Sequence, residues 1–199
     1  MVLDVKARKG VDRVMAPIGR TLAKLGITPS MVTLAGVVVT IAGAVLIGLG
    51  ELLAGVIVAA IGSLLDIVDG PLARSTGTVS LRGALLDTLA DRLGEAAIWI
   101  GLVYFVGGSP RLATLAVVGL CASMLVPYVR SKAEGWGATG RGGLMGRAER
   151  LIVMLLGIGV QGLEIGSFRP IEGMLWVMAV ATWLTVGQRA WRTWRQLAE

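Results

Sequence analysis

Four aspartates carry the chemistry open to this chain. Asp66 and Asp69, then Asp87 and Asp91, fall in stretches that otherwise have the composition of membrane helix. A carboxylate near a bilayer centre costs about 2.5–3.5 kcal/mol on insertion scales, so four of them together call for a compensating partner. Asp66, Asp69, Gly70 and Ala73 are spaced i, i+3, i+4, i+7, which sets two carboxylates and two small residues on one helical stripe. Gly83, Asp87 and Asp91 repeat the pattern at i, i+4, i+8 in the next apolar segment. If the two helices are antiparallel neighbours, their stripes meet. The chain has no His and its one Cys, Cys121, sits in an apolar run and is expected in the core. Ser-His-Asp and Cys-His nucleophile schemes are therefore excluded. An all-oxygen donor set selects a hard cation, Mg²⁺ or Mn²⁺. Four carboxylates suffice for two such ions about 3.5–4 Å apart, the arrangement used for phosphoryl displacement. The competing explanation is structural, with the acids paired to Arg74, Arg82 and Arg92. Ion pairing alone leaves the small residues on the acid-bearing faces unexplained, whereas Gly70, Ala73 and Gly83 leave room for a ligand.

The elements that position these acids follow from composition. Of 199 residues, 55% are hydrophobic and 16% charged, and the mean hydropathy is +0.77, which is the balance of a membrane protein. Six apolar segments, near 31–49, 52–73, 81–106, 111–130, 150–167 and 171–189, are long enough to span a bilayer. The expected fold is an all-α integral membrane bundle of six transmembrane helices over 31–189, within a single domain of residues 1–199. Ahead of it, Val11, Val14, Met15, Ile18, Leu22 and Leu25 recur at helical spacing among basic residues, as in an amphipathic interfacial helix over 1–28. The N-terminal charges are not followed by a long apolar run, so a cleaved signal peptide is not expected. Of the 19 Lys and Arg, only Arg111 and Arg169 fall in loops opposite the termini. The positive-inside rule then places both termini and the aspartate end of the second and third helices on the cytoplasmic side of the cell membrane. The net charge of +6 is explained by that topology and by anionic lipid rather than by nucleic acid.

In order, Asp66-Ile67-Val68-Asp69-Gly70-Pro71-Leu72-Ala73-Arg74, eight residues, Gly83, three residues, Asp87, three residues and Asp91 resemble the signature of the CDP-alcohol phosphotransferase (phosphatidyltransferase) family. Every fixed position of that signature is filled, and the resemblance takes in the Thr28-Pro29-Ser30-Met31-Val32-Thr33 entry to the first span. It implies a phospholipid-synthesising transferase in which an acceptor hydroxyl attacks the β-phosphorus of CDP-diacylglycerol or a similar CDP-lipid and releases CMP. By matching position it implies two metal ions on Asp66, Asp69, Asp87 and Asp91, with Asp91 also the proton acceptor. Ser30, Met31, Val32, Thr33, Gly70, Ala73, Arg74, Ser80 and Gly83 would hold the CDP-lipid. It also suggests a homodimer.

A second basic cluster bears on the acceptor. Arg130 and Lys132 end the fourth apolar segment, Arg147 and Arg150 open the fifth, and Arg189 closes the sixth. Guanidinium forks bind phosphate monoesters bidentately, which favours an acceptor that already carries phosphate. The segments Tyr128–Glu134, Gly146–Leu151 and Gln188-Arg189 resemble those of the branch that makes phosphatidylinositol phosphate or its archaeal counterpart, which implies inositol phosphate as acceptor. Glycerol phosphate is the alternative within the class. The same basic residues would also serve as snorkelling anchors on lipid phosphates. Residues 135–143, rich in Gly, are expected to be either a cover over a bound head group or a plain linker. Trp191 and Trp194 have the character of an interfacial belt. An alternative of a different class is a divalent cation transporter or channel, since intramembrane acids also mark ion paths. Its weakness is that the acids are confined to two adjacent helices, with no second set to complete a path.

Overall fold

The computed structural model describes Thr21 and residues 26–164 and 169–198, with the side chains of residues 67–69, 71, 75 and 76 outside the description. The amphipathic helix expected over 1–28 lies almost wholly outside the described residues. Among the described residues six helices follow: α1 Pro29–Gly48, α2 Leu52–Thr76, α3 Leu81–Phe105, α4 Pro110–Gly135, α5 Arg147–Gly162 and α6 Pro170–Leu197. Each overlaps one of the six apolar segments, and no strand occurs among the described residues.

Local chemistry sets the helix ends that matter for the site. Thr28 opens α1 by accepting the Met31 amide on its hydroxyl at 3.3 Å. Pro29 takes the first helical position, where a missing N–H goes unnoticed. At the other end of the pair, Gly77 adopts φ +66°, and the Thr78 amide reaches back to the Ala73 carbonyl at 3.0 Å. That is the bond of a Schellman stop, which needs the left-handed conformation glycine tolerates. Ser80 then caps α3, accepting the Gly83 amide at 3.1 Å. A link of only residues 77–80 makes α2 and α3 an antiparallel hairpin, as the facing stripes require.

The chain divides into two compact units, one of the residues up to Gly43 with Ile57–Ala97, the other of Ala44–Val56 with Ile98–Glu199. In the first, α1 and α2 touch backbone to backbone. A Cβ on Gly62 would stand 2.6 Å from the Thr40 amide nitrogen and 2.7 Å from the Gly36 carbonyl oxygen. In the second, α6 packs on α4 and α5 and buries a continuous stripe of Met178, Thr182, Thr185, Arg189 and Thr193.

Helices α1, α4 and α6 are long and apolar enough to cross a membrane. In α2, Leu52–Asp66 forms a shorter apolar stretch among the described residues. With 16 residues, α5 is about 24 Å long, less than a hydrocarbon core of about 30 Å. It ends at Gly162 rather than near 167, where a Cβ would stand 2.9 Å from the Leu53 amide nitrogen. Helix α6 instead runs on past 189, because its buried face continues through Thr193. Cys121, expected in the core, is exposed. The inward face of α4 is taken by Ala116, Gly119, Ala122, Ser123 and Val126, and Cys121 lies off that stripe.

Candidate active site

Asp66 on α2 and Asp87 and Asp91 on α3 each present a carboxylate oxygen, and the three oxygens lie within 4.8 Å of one another. Antiparallel pairing of the two stripes brings them together, one turn apart along α3. Asp69 follows one turn after Asp66, and its side chain lies outside the description. The donor set fits a hard divalent cation. Octahedral ligands at about 2.0–2.1 Å from Mg²⁺ stand about 3–4 Å from each other, a little closer than the limit of the observed spread. Asp91 also meets a cation of the protein, with Arg92 Nη2 at 3.5 Å from its Oδ2. The same guanidinium makes a shorter pair with Glu95, at 3.0 Å. Of the structural pairings considered from sequence, the Arg92 contact with Asp91 is therefore present, with Arg92 held more closely by Glu95.

Beside the carboxylates lies a cavity of about 560 Å³, within the range of small-molecule sites. Its wall includes Asp66 and Asp87, and, from the sequence-expected lipid-nucleotide set, Ser30, Thr33, Gly70, Ala73, Arg74, Ser80 and Gly83. Met31 and Val32 are not part of the wall: Met31 is 54% exposed and Val32 is buried in the core. Asp91 is also off the wall, one turn beyond Asp87. Thr28, Pro29, Thr78, Val79 and Ala84 line the cavity as well. Of these, Thr78, Val79 and Ala84 escaped the sequence reading, although the short α2–α3 link places them beside Ser80.

The two signature glycines differ in kind from the packing glycines. Among the described residues, a Cβ on Gly70 would meet the Arg74 guanidinium, at 3.3 Å, and one on Gly83 the Ser80 hydroxyl, at 3.3 Å. Both neighbours line the cavity, so these glycines hold space open there rather than letting helices touch. The N-termini of α1 and α3 open at the same cavity, and their exposed amides and dipoles favour an anion. Arg74 adds a full positive charge.

The second basic cluster lies in the other compact unit. Arg150 is 1% exposed and donates from Nη1 to the Met145 carbonyl at 3.3 Å. Arg189 donates from Nε to the Gly142 carbonyl at 2.8 Å and from Nη1 to the Val126 carbonyl at 3.0 Å. Arg130 and Arg150 lie within electrostatic reach of Arg189, with Glu134 the balancing acid. Arg130 pairs with Glu134 at 2.9 Å. Lys132 lies over the ring of Tyr128, 5.8 Å from its centroid, and Arg147 is exposed at the start of α5. The Gly-rich stretch is tied down on both sides. The Thr139 amide donates to Gln196 Oε1 at 2.8 Å, and the Met145 amide to Thr185 Oγ1 at 2.9 Å.

Residues 26–191 match the CDP-alcohol phosphatidyltransferase family. The chain belongs to that family. Among curated relatives of this CDP-alcohol phosphatidyltransferase, the phosphatidylinositol phosphate synthase of Mycolicibacterium smegmatis is 36% identical over 140 residues, which is 67% of this chain and 62% of that protein. The chain thus spans about three-fifths of the length of the curated relatives it matches. Among solved structures, the phosphatidylinositol phosphate synthase of Mycobacterium tuberculosis with CDP-DAG bound superposes with a TM-score of 0.86 at 34% identity, covering 92% of this chain and 94% of that one. The same enzyme in complex with manganese and citrate gives a TM-score of 0.85 at 34% identity, covering 90% and 88%. With its apolar helices, this member of the family is a membrane-embedded protein whose acidic cluster suits a divalent metal.

Proposed function

We propose that this protein transfers a phosphatidyl group from CDP-diacylglycerol, or a similar CDP-lipid, to a hydroxyl of inositol phosphate, giving phosphatidylinositol phosphate and CMP. The observation that carries the reading is the gathering of the Asp66, Asp87 and Asp91 carboxylates beside a cavity walled by the rest of the signature. The nucleotide lies in that cavity, its diphosphate toward Arg74 and the α1 and α3 N-termini, with Gly70 and Gly83 giving it room. Asp66, Asp69, Asp87 and Asp91 hold two divalent ions, Mg²⁺ or Mn²⁺. When bound, they neutralise the diphosphate and the charge that develops on departing CMP. Asp91, beyond the cavity wall, accepts the proton of the attacking hydroxyl. That position lets the acceptor approach from the side away from the nucleotide, as in-line displacement asks. Most of the rate then comes from positioning and charge.

The acceptor's phosphate is held by Arg130, Lys132, Arg147, Arg150 and Arg189. The support is the clustering of Arg130, Arg150 and Arg189 against their mutual repulsion, with Arg189 oriented by the Gly142 and Val126 carbonyls. The relatives' name favours inositol phosphate over glycerol phosphate. The chain forms one domain over residues 1–199, an interfacial helix followed by six spans, and works as a homodimer. Both termini and the site face the cytoplasm across the cell membrane. The test is CMP release from purified protein with CDP-diacylglycerol and Mg²⁺, supplied with inositol phosphate, glycerol phosphate, inositol or serine. Release with inositol phosphate alone is the expected outcome. Release only with another acceptor overturns the acceptor assignment, and none with any of them overturns the reaction.

A further inference from the structure

Arg92 and Glu95 lie outside the family signature, yet they stand against its last aspartate. Glu95 extends the α3 stripe, since Asp87, Asp91 and Glu95 follow i, i+4, i+8. It is 7% exposed, and Arg92 Nη1 donates to its Oε2 at 3.0 Å. The other arm of the same fork, Nη2, stands 3.5 Å from Asp91 Oδ2. The remaining nitrogen, Nε, is buried with no hydrogen-bond acceptor among the described residues. Arg92 thus reaches two carboxylates, Glu95 and Asp91, with its two terminal nitrogens.

We propose that Arg92 is a positioning residue for Asp91. Glu95 anchors one arm of the fork, and the other arm turns the Asp91 carboxylate toward Asp66 and Asp87, so that it is aligned for a divalent ion and for the acceptor hydroxyl. The inference rests on the metal-dependent transferase reading above. The planar fork is essential to it, because a lysine ammonium cannot hold two carboxylates at a fixed angle.

The test uses the full chain in detergent, comparing wild type with Arg92→Gln, Arg92→Lys, Glu95→Gln and the Arg92→Gln/Glu95→Gln double variant. Two quantities are read: Mn²⁺ affinity, by electron paramagnetic resonance of the free ion, and kcat and KM for CMP release. Arg92→Gln is expected to weaken Mn²⁺ binding and lower kcat by about 10–100-fold, as loss of a ligand-orienting partner does, with KM for CDP-diacylglycerol within about threefold. Arg92→Lys recovers only part of the loss. Glu95→Gln moves both quantities in the same direction and adds nothing in the Arg92→Gln background, since it acts through Arg92. Wild-type kcat and Mn²⁺ affinity in Glu95→Gln overturn the proposal, and that variant decides alone if Arg92→Gln does not fold. Absence of metal-dependent CMP release from the wild type overturns the transferase reading instead, and the Mn²⁺ affinities still decide the positioning role.

Discussion

The hydroxyl of Ser80 accepts the amide of Gly83 at 3.1 Å, so the residues that cap α3 are also two that line the ligand cavity. Cap and binding surface are one structure. Ser80→Ala is therefore expected to cost about 1 kcal/mol of stability and also to raise KM for CDP-diacylglycerol several-fold, with kcat changed less. Thermal unfolding in detergent and steady-state CMP release separate the two effects. A stability loss with unaltered KM would confine Ser80 to capping.

The glycines sort by what surrounds them. Gly62→Ala forces a methyl against the Thr40 amide and the Gly36 carbonyl, both backbone atoms that cannot turn away. Overpacking of this kind costs about 1–3 kcal/mol or more, visible as a lowered Tm. Gly83→Val instead projects into the cavity and is expected to leave Tm within a few degrees while raising KM for CDP-diacylglycerol at least about tenfold. Opposite behaviour of the pair would contradict the division into packing and cavity glycines.

Arg150→Ala is expected to raise KM for inositol phosphate by about tenfold or more, as loss of a charge-assisted phosphate contact should, and to leave KM for CDP-diacylglycerol within about threefold. Because Arg150 is 1% exposed, its truncation also lowers Tm, so the comparison of the two KM values is the informative one. Equal changes in both would count against the phosphate pocket.

Arg111 and Glu172 form an ion pair at 2.7 Å between residues that are 67% and 40% exposed. Pairs so open to solvent contribute about 0–1 kcal/mol. Arg111→Ala is expected to leave activity within about twofold and Tm nearly unchanged, which makes it the control for loss of an arginine as such.

Much of this site is legible in the sequence because its signals are periodic. The i, i+3 and i, i+4 spacing of Asp66, Asp69, Asp87 and Asp91, with Gly70 and Gly83 between them, already assigns the acids to two facing stripes. Gly77 and Ser80 mark the turn that pairs them. What periodicity does not carry is the partner of each charge. Arg92 was visible as a neighbour of Asp91, but its closer tie to Glu95 depends on which rotamer packs against α3. Cys121 was expected inside because an apolar run in lipid has no polar face to tell inward from outward, and on α4 the inner side is taken mostly by small residues. The Gly135–Gly143 stretch gave no hint that Gln196 and Thr185 hold its neighbourhood down, since those contacts join residues 57 and 40 positions apart.

The central claim is that the gathered carboxylates run a metal-dependent transfer, and its most direct test is CMP release from CDP-diacylglycerol by Asp66→Asn, Asp87→Asn and Asp91→Asn across a Mg²⁺ and Mn²⁺ titration. Each substitution is nearly isosteric and removes one charge from the cluster. The expected result is a fall in kcat of at least about a hundredfold in all three, with Mn²⁺ binding weakened and folding intact. Turnover near the wild-type rate in any one of them, at ordinary metal concentrations, would contradict the account.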